Sequence, residues 1–210
     1  MKIGIDDIVC VVMFVVNLAI GLYWLTNSTD TYGSATCIVC GIVCLIPFIL
    51  KHTKTVRLNM IFIVTIAAAL SLRSLGVLFS GYDVFDNYDL VTHTFSSMLV
   101  SLCVWMTLCC YSVHSPTSEF TGKAMFTMIM LIMATFSVYW ETFEYFLDTA
   151  WGTHSQYSPF DTVKDMVFNM TGSLITALYS YYVLKKMTMR ELVDSFELSP
   201  KLVHFIDHKG

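Results

Sequence analysis

Three short runs of ionisable residues have spacings from which chemistry can be built. Asp89 and His93 stand at i, i+4; Glu141 and Glu144 at i, i+3; Asp161, Asp165 and Asn169 at i, i+4, i+8. Each spacing gathers its members on one face of a helix. An imidazole with several carboxylates is a ligand set for Zn²⁺, Mn²⁺ or Mg²⁺. Such an ion relieves the repulsion among the acids and can activate water or clamp a phosphate. Without a metal, one of the acids can serve as a general acid. The catalytic candidates are therefore His93, Glu141, Glu144 and Asp165, with His93, Glu144 and Asp165 as metal ligands. Arg73, Asp89, Asp161 and Asn169 are the substrate-binding candidates, Arg73 through its fit to an anionic head group.

The elements that position these residues follow from hydropathy. The chain is 56% hydrophobic and 13% charged, against roughly 25% charged in soluble domains. Its apolar residues fall in long blocks of about 20, the length that crosses a hydrocarbon core. The spacing predicts an all-α integral membrane bundle over residues 1–186, with six spans at about 8–25, 34–50, 58–79, 89–111, 123–147 and 163–184. Ala19-x-Gly21 in the first block resembles a signal-peptidase site, but the asparagine and aromatics there favour a retained helix. Residues 187–210 form a polar tail in which Met189, Leu192, Val193 and Phe196 make one apolar stripe. That stripe predicts a short helix on the membrane surface, ended by Pro200.

Basic residues set the expected orientation. Lys2, Lys51, Lys54, Arg57, Lys123, Lys185, Lys186, Arg190, Lys201 and Lys209 fall on one side of such a bundle. The three loops of the other side hold Asp30, Asp83, Asp86, Asp148 and Asp161, with only Lys164 nearby. The positive-inside rule makes the basic side, with both termini, cytoplasmic. At 1.5 Å per residue, His93, Glu144 and Asp165 each lie ~6 Å below an acid at the outer helix end, and Arg73 about 10 Å below Ser80. Four helices thus bring polar residues to one depth, which implies a shared polar cavity open to the outer face. Ionisable groups at such depths are functional candidates by default.

Each of these residues also has a structural reading. Ser158 can cap a helix that holds Pro159 at N1 and Asp161 at N3. Asp89 suits a helix N-terminus, Asn169 with Gly172 can serve helix packing, and Arg73 can pair with Glu141 or Glu144. Hydropathy does not fix whether Arg73 faces the cluster. His154 reads as a solvated loop residue; Trp105, Tyr139, Trp140 and Trp151 read as interface or packing residues. Cys37-x-x-Cys40 has metal or redox spacing but no second pair, and the seven cysteines read as small apolar residues.

Tyr88-Asp89-x-x-x-His93, Glu141-x-x-Glu144 and Asp161-x-x-x-Asp165-x-x-x-Asn169-x-x-Gly172 resemble the YjdF-like bacterial inner-membrane proteins and the broader VanZ-like group. The likeness covers about residues 82–184; the first three spans match in hydropathy only. It implies a compact helical membrane bundle in a prokaryotic inner membrane. The VanZ-like group is associated with glycopeptide (teicoplanin) resistance.

Three functions remain open. The first is binding or processing of a lipid or lipid-linked substrate at the outer leaflet, with a divalent metal. The second is a buried polar network that fixes helix packing in a protein acting through partners. The third is proton- or cation-linked transport, disfavoured by the lack of internal repeats and by a cluster confined to one face. Membrane lipids are the expected partners; no basic patch suggests nucleic acid.

Overall fold

A computed structural model describes residues 3–85, 87–114, 120–153, 155–156 and 158–207. Lys2, Asp86, His154 and Lys209, used in the readings above, lie outside the described residues. The described residues form α1 (Ile5–Asn27), α2 (Thr31–Cys44), α3 (Ile46–His52), α4 (Met60–Leu78), α5 (Gly81–Val84), α6 (Tyr88–His114), α7 (Gly122–Trp151), α8 (Pro159–Val183), α9 (Met189–Asp194) and α10 (Pro200–Ile206).

Five helical segments are long and apolar enough to cross a membrane: α1, the run Thr31–His52 made by α2 and α3, α4, α6 and α7. Their outward faces carry large apolar side chains such as Ile8, Val12, Val15, Leu131 and Val138, all exposed. Their inward faces carry small or polar ones, including Asn17, Gly21, Ser34, Ser97 and Ser137. Lipid solvates an apolar exterior, and small residues let helix backbones approach. The second segment breaks at Leu45, between α2 and α3, where Pro47 enters the first turn of α3. A proline has no N–H to continue the ladder and collides with the preceding turn.

The sixth expected span meets a different result. Helix α8 has 25 residues, about 38 Å at 1.5 Å per residue, so length is not its shortfall. It is absent from the segments apolar enough to cross. Asp165, Asn169, Ser173, Thr176 and Ser180 lower its apolarity, and all five point into the protein. Val163, Val167, Leu174, Ile175 and Leu178 remain outside. Helix α8 packs along both α6 and α7, closely enough that a Cβ on Gly172 would sit 2.2 Å from the Thr94 carbonyl oxygen.

The helices form two groups. Helices α1, α2 and α4 pack together, α6, α7 and α8 pack together, and the α4–α6 seam joins them. Among the described residues, α7 has no packing seam with α2 or α4. The end that carries the basic residues is filled by an apolar core including Phe62, Trp105, Met125, Ile129 and Phe196. The tail belongs to that core. Leu192, Val193 and Phe196 are buried in it, and the Arg57 N–H donates to the Phe196 carbonyl at 2.7 Å. This corrects the expectation of a helix lying on the membrane surface, because the protein interior covers the stripe first. Pro200 opens α10 instead of ending α9; the missing N–H of proline costs nothing in a first helical turn.

Candidate functional site

The site lies at the acidic end and grows from three helix beginnings or endings. Ser158 caps α8 by accepting from the Asp161 N–H at 3.1 Å, with Pro159 next to it, as the capping reading expects. The Asp161 carboxylate turns aside to Lys164 at 2.9 Å. One and two turns further, Asp165 and Asn169 face inward. At the end of α7, Gly152 takes φ 66°, a left-handed value suited to glycine, and stops the helix. Asp148 accepts from the Ser155 and Gln156 N–H groups at 2.8 and 2.9 Å, folding the following loop back. Gln156 then donates to the Glu141 carbonyl at 2.9 Å.

His93 stands at the centre and is buried, as are Glu141, Asp165 and Asn169. Its Nδ1 lies 3.3 Å from Asn169 Oδ1, and Asn169 Nδ2 donates to Ser137 Oγ at 3.1 Å. With the Asn169 nitrogen donating to Ser137, its oxygen faces the imidazole, and that pairing places a proton on Nδ1. Neutral His93 then carries its lone pair on Nε2. Nε2 lies 3.6 Å from Asp89 Oδ1 and 3.9 Å from Asp165 Oδ1.

Two sets of potential ligand atoms share His93: Asp89–His93–Asp165 and His93–Glu141–Glu144, each set lying within 4.8 Å. The expected trio His93, Glu144 and Asp165 is divided between them. Among the described residues, both oxygens of Glu141, which is 4% exposed, have no hydrogen-bond partner, and neither does Asp165 Oδ1. Buried polar atoms are ordinarily bonded. Two ionised carboxylates about 5 Å apart repel by ~3–4 kcal/mol at an effective dielectric of about 20. Such a group needs a cation, whether metal or proton. Glu144 is half-buried and accepts from Trp140 Nε1 at 2.9 Å.

Arg73 points into the same region, which hydropathy alone could not establish. Its Nη1 donates to Tyr82 Oη at 3.0 Å, and neither Glu141 nor Glu144 comes within ion-pair distance. A cavity of about 460 Å³ between Trp24, Asp30, Arg73, Tyr82, Asp89 and Glu144 opens at the acidic end. A second, of about 270 Å³, lies deeper and is mainly apolar; Arg73, Asp89, Glu144 and Tyr32 line both. Of the substrate-binding candidates, Arg73 and Asp89 line both cavities, Asn169 lines the inner one while engaged with His93 and Ser137, and Asp161 is engaged with Lys164.

Ser137, Trp140, Gln156 and Tyr82 are parts of the arrangement that the motifs do not contain. Ser137, Glu141 and Glu144 stand at i, i+4, i+7, and Trp140 precedes Glu144 by four. Helical spacing could have found both. Tyr82 carries no such signal, since it reaches Arg73 through a left-handed turn at Ser80. Cys37, Cys40 and Cys44 are buried free thiols on α2 and bring no second ligand pair.

The family described as "Predicted membrane protein (DUF2238)" has a model that matches residues 8–186, and the chain belongs to that family. With its apolar helices, it is an integral, multi-pass membrane protein. No curated protein and no solved structure matches the chain.

Proposed function

We propose that this membrane protein binds a divalent cation between α6, α7 and α8 and uses it to bind or process a lipid or lipid-linked substrate at the outer leaflet. The observation that carries the reading is the Glu141 carboxylate. It is buried, both oxygens lack hydrogen-bond partners among the described residues, and it shares ligand range with His93 and Glu144. An unbonded buried polar group costs about 1–3 kcal/mol, a cost that a bound cation would offset. The Nε2 lone pair of His93 and carboxylate oxygens suit Zn²⁺ or Mn²⁺; Mg²⁺ is less at home with nitrogen. Asp89 and Asp165 flank the same imidazole and can complete the shell or position water. The bound ion would neutralise the acids and polarise a phosphate or ester oxygen.

In this reading α8 is the sixth span, with its polar face turned to the site and its apolar face to lipid. The acidic end is then external and both termini cytoplasmic, in a prokaryotic inner membrane. The likeness of the three motifs to YjdF-like and VanZ-like proteins supports a common cluster.

A second reading has its own observation: the chain Ser137–Asn169–His93 ties α7, α8 and α6 together through buried hydrogen bonds. As a pure packing device it would make the protein a scaffold acting through partners. Metal content of the purified full-length protein, after incubation with Zn²⁺, Mn²⁺ or Mg²⁺, separates the two. Near-stoichiometric metal is expected in the wild type and should be lost in Glu141→Gln and His93→Ala, with Glu141→Gln keeping its unfolding temperature. No bound metal in the wild type, with both variants unstable, would establish the scaffold instead.

A further inference from the structure

Arg73 is a cation inside a membrane-spanning helix, and among the described residues no carboxylate forms an ion pair with it. Its Nη1 donates to Tyr82 Oη at 3.0 Å, and its guanidinium carbon stands 4.9 Å from the centre of the Tyr82 ring. Burial pushes the Tyr82 pKa up, against the opposing pull of Arg73, so the phenol is neutral at physiological pH. A guanidinium has five N–H donors, and Arg73 lines both cavities with most of them uncommitted. Arg73 stands between the centre of α4 and its end; a charge there costs less than the roughly 2.5–3.5 kcal/mol of a span centre but still calls for a counter-charge.

The two cavities differ in chemistry. Asp30, Tyr82, Asp89 and Glu144 make the outer one polar. Ala69, Leu70, Val100, Met133 and Phe136 give the inner one a mainly apolar surface, a slot for hydrocarbon with His93 and Asn169 on its α6 and α8 side. Their volumes, about 460 and 270 Å³, fall together within the roughly 300–1,000 Å³ usual for small-molecule sites. The slot lies where α7 faces α2 and α4 without a packing seam among the described residues. Phe136 and Trp140 on its rim are 48% and 45% exposed, so the slot opens sideways toward lipid. A free anion would satisfy Arg73 and leave the slot unused. An amphiphile occupies both.

We infer that the ligand is a membrane lipid with an anionic head, entering sideways between α7 and α2–α4, its head against Arg73 and one chain in the slot. This rests on the cation site proposed above, which shares Asp89 and Glu144 with both cavities and borders the inner one through His93.

The test is photolabelling of the full-length protein in phosphatidylcholine vesicles, using phosphatidic acid with a diazirine on its acyl chain. Phosphatidylcholine carrying the same diazirine chain serves as the comparison. Expected is labelling of Leu70, Val100 and Met133 severalfold stronger with phosphatidic acid. Arg73→Gln should erase that preference, and Leu70→Trp, which fills the slot and leaves Arg73 intact, should erase the labelling. Both variants should keep the wild-type elution volume and metal content. Equal labelling by the two probes, or labelling confined to outward residues such as Val138 and Tyr139, would overturn the inference. So would competition by inorganic phosphate, which would assign Arg73 to a free anion. Metal content tells the two proposals apart: metal without slot labelling removes the lipid and leaves the cation. Head-dependent labelling without metal does the reverse.

Discussion

His93 presents Nε2 to the carboxylates because Asn169 occupies Nδ1, and Asn169 is held in turn by Ser137. Outer groups of this kind typically contribute ~10–100-fold in metal affinity. Asn169→Leu is therefore expected to weaken binding by about that factor while the His93 and Glu141 ligands stay in place. A competitive chelator titration measures it; unchanged affinity would deprive Asn169 of its orienting role. The acids and His93 were legible because helical spacing and depth are one-dimensional quantities. Rotation about each helix axis is not, so the inward turn of Arg73 and the division of the ligands into two sets around His93 had to come from packing. Asp161 shows the opposite case. Its cap position was readable, yet its carboxylate answers Lys164 three residues on.

Elements were legible wherever lipid is the solvent. Blocks of apolar residues marked α1, α4, α6 and α7, with ends displaced by a few residues; α7 runs to Trp151 because Gly152 stops it. Pro47 was visible inside the second block, but the break it causes falls at Leu45, since its ring disturbs the turn before it. The mean hydropathy of α8 falls below that of the five other segments because it averages around the helix and includes the inward Asp165, Asn169, Ser173, Thr176 and Ser180. The tail misleads because an apolar stripe has the same spacing whether membrane or protein covers it. If α8 crosses the membrane, residues in the α7–α8 loop and in the tail lie on opposite sides. Cysteines placed at Ser155 and Glu197 should then react with an impermeant maleimide from outside and from inside, respectively, in sealed cells and inverted vesicles. Both reacting from one side would remove the sixth span. Six native cysteines are buried and Cys103 is exposed; that one sits mid-helix on a span, away from the aqueous reagent.

The whole molecule divides its labour along the membrane normal. Its basic end is packed solid by the apolar core and sealed by the tail, while its acidic end is hollow and lined with acids. An architecture closed at one end suits a binding or catalytic site better than a through-path. Composition and motif order made the membrane bundle and the polar layer readable. The hollow was not readable, because it arises from two helix groups joined at one seam, and no local pattern encodes a gap. The central claim is that a cation sits on one imidazole and the carboxylates around it. X-ray absorption spectroscopy of the zinc-loaded protein tests it most directly. Expected is a first shell of light atoms with a single imidazole, which disappears in His93→Ala. A sulfur-containing shell, which would move the ion to the α2 cysteines, or a protein that takes up no zinc, would contradict it.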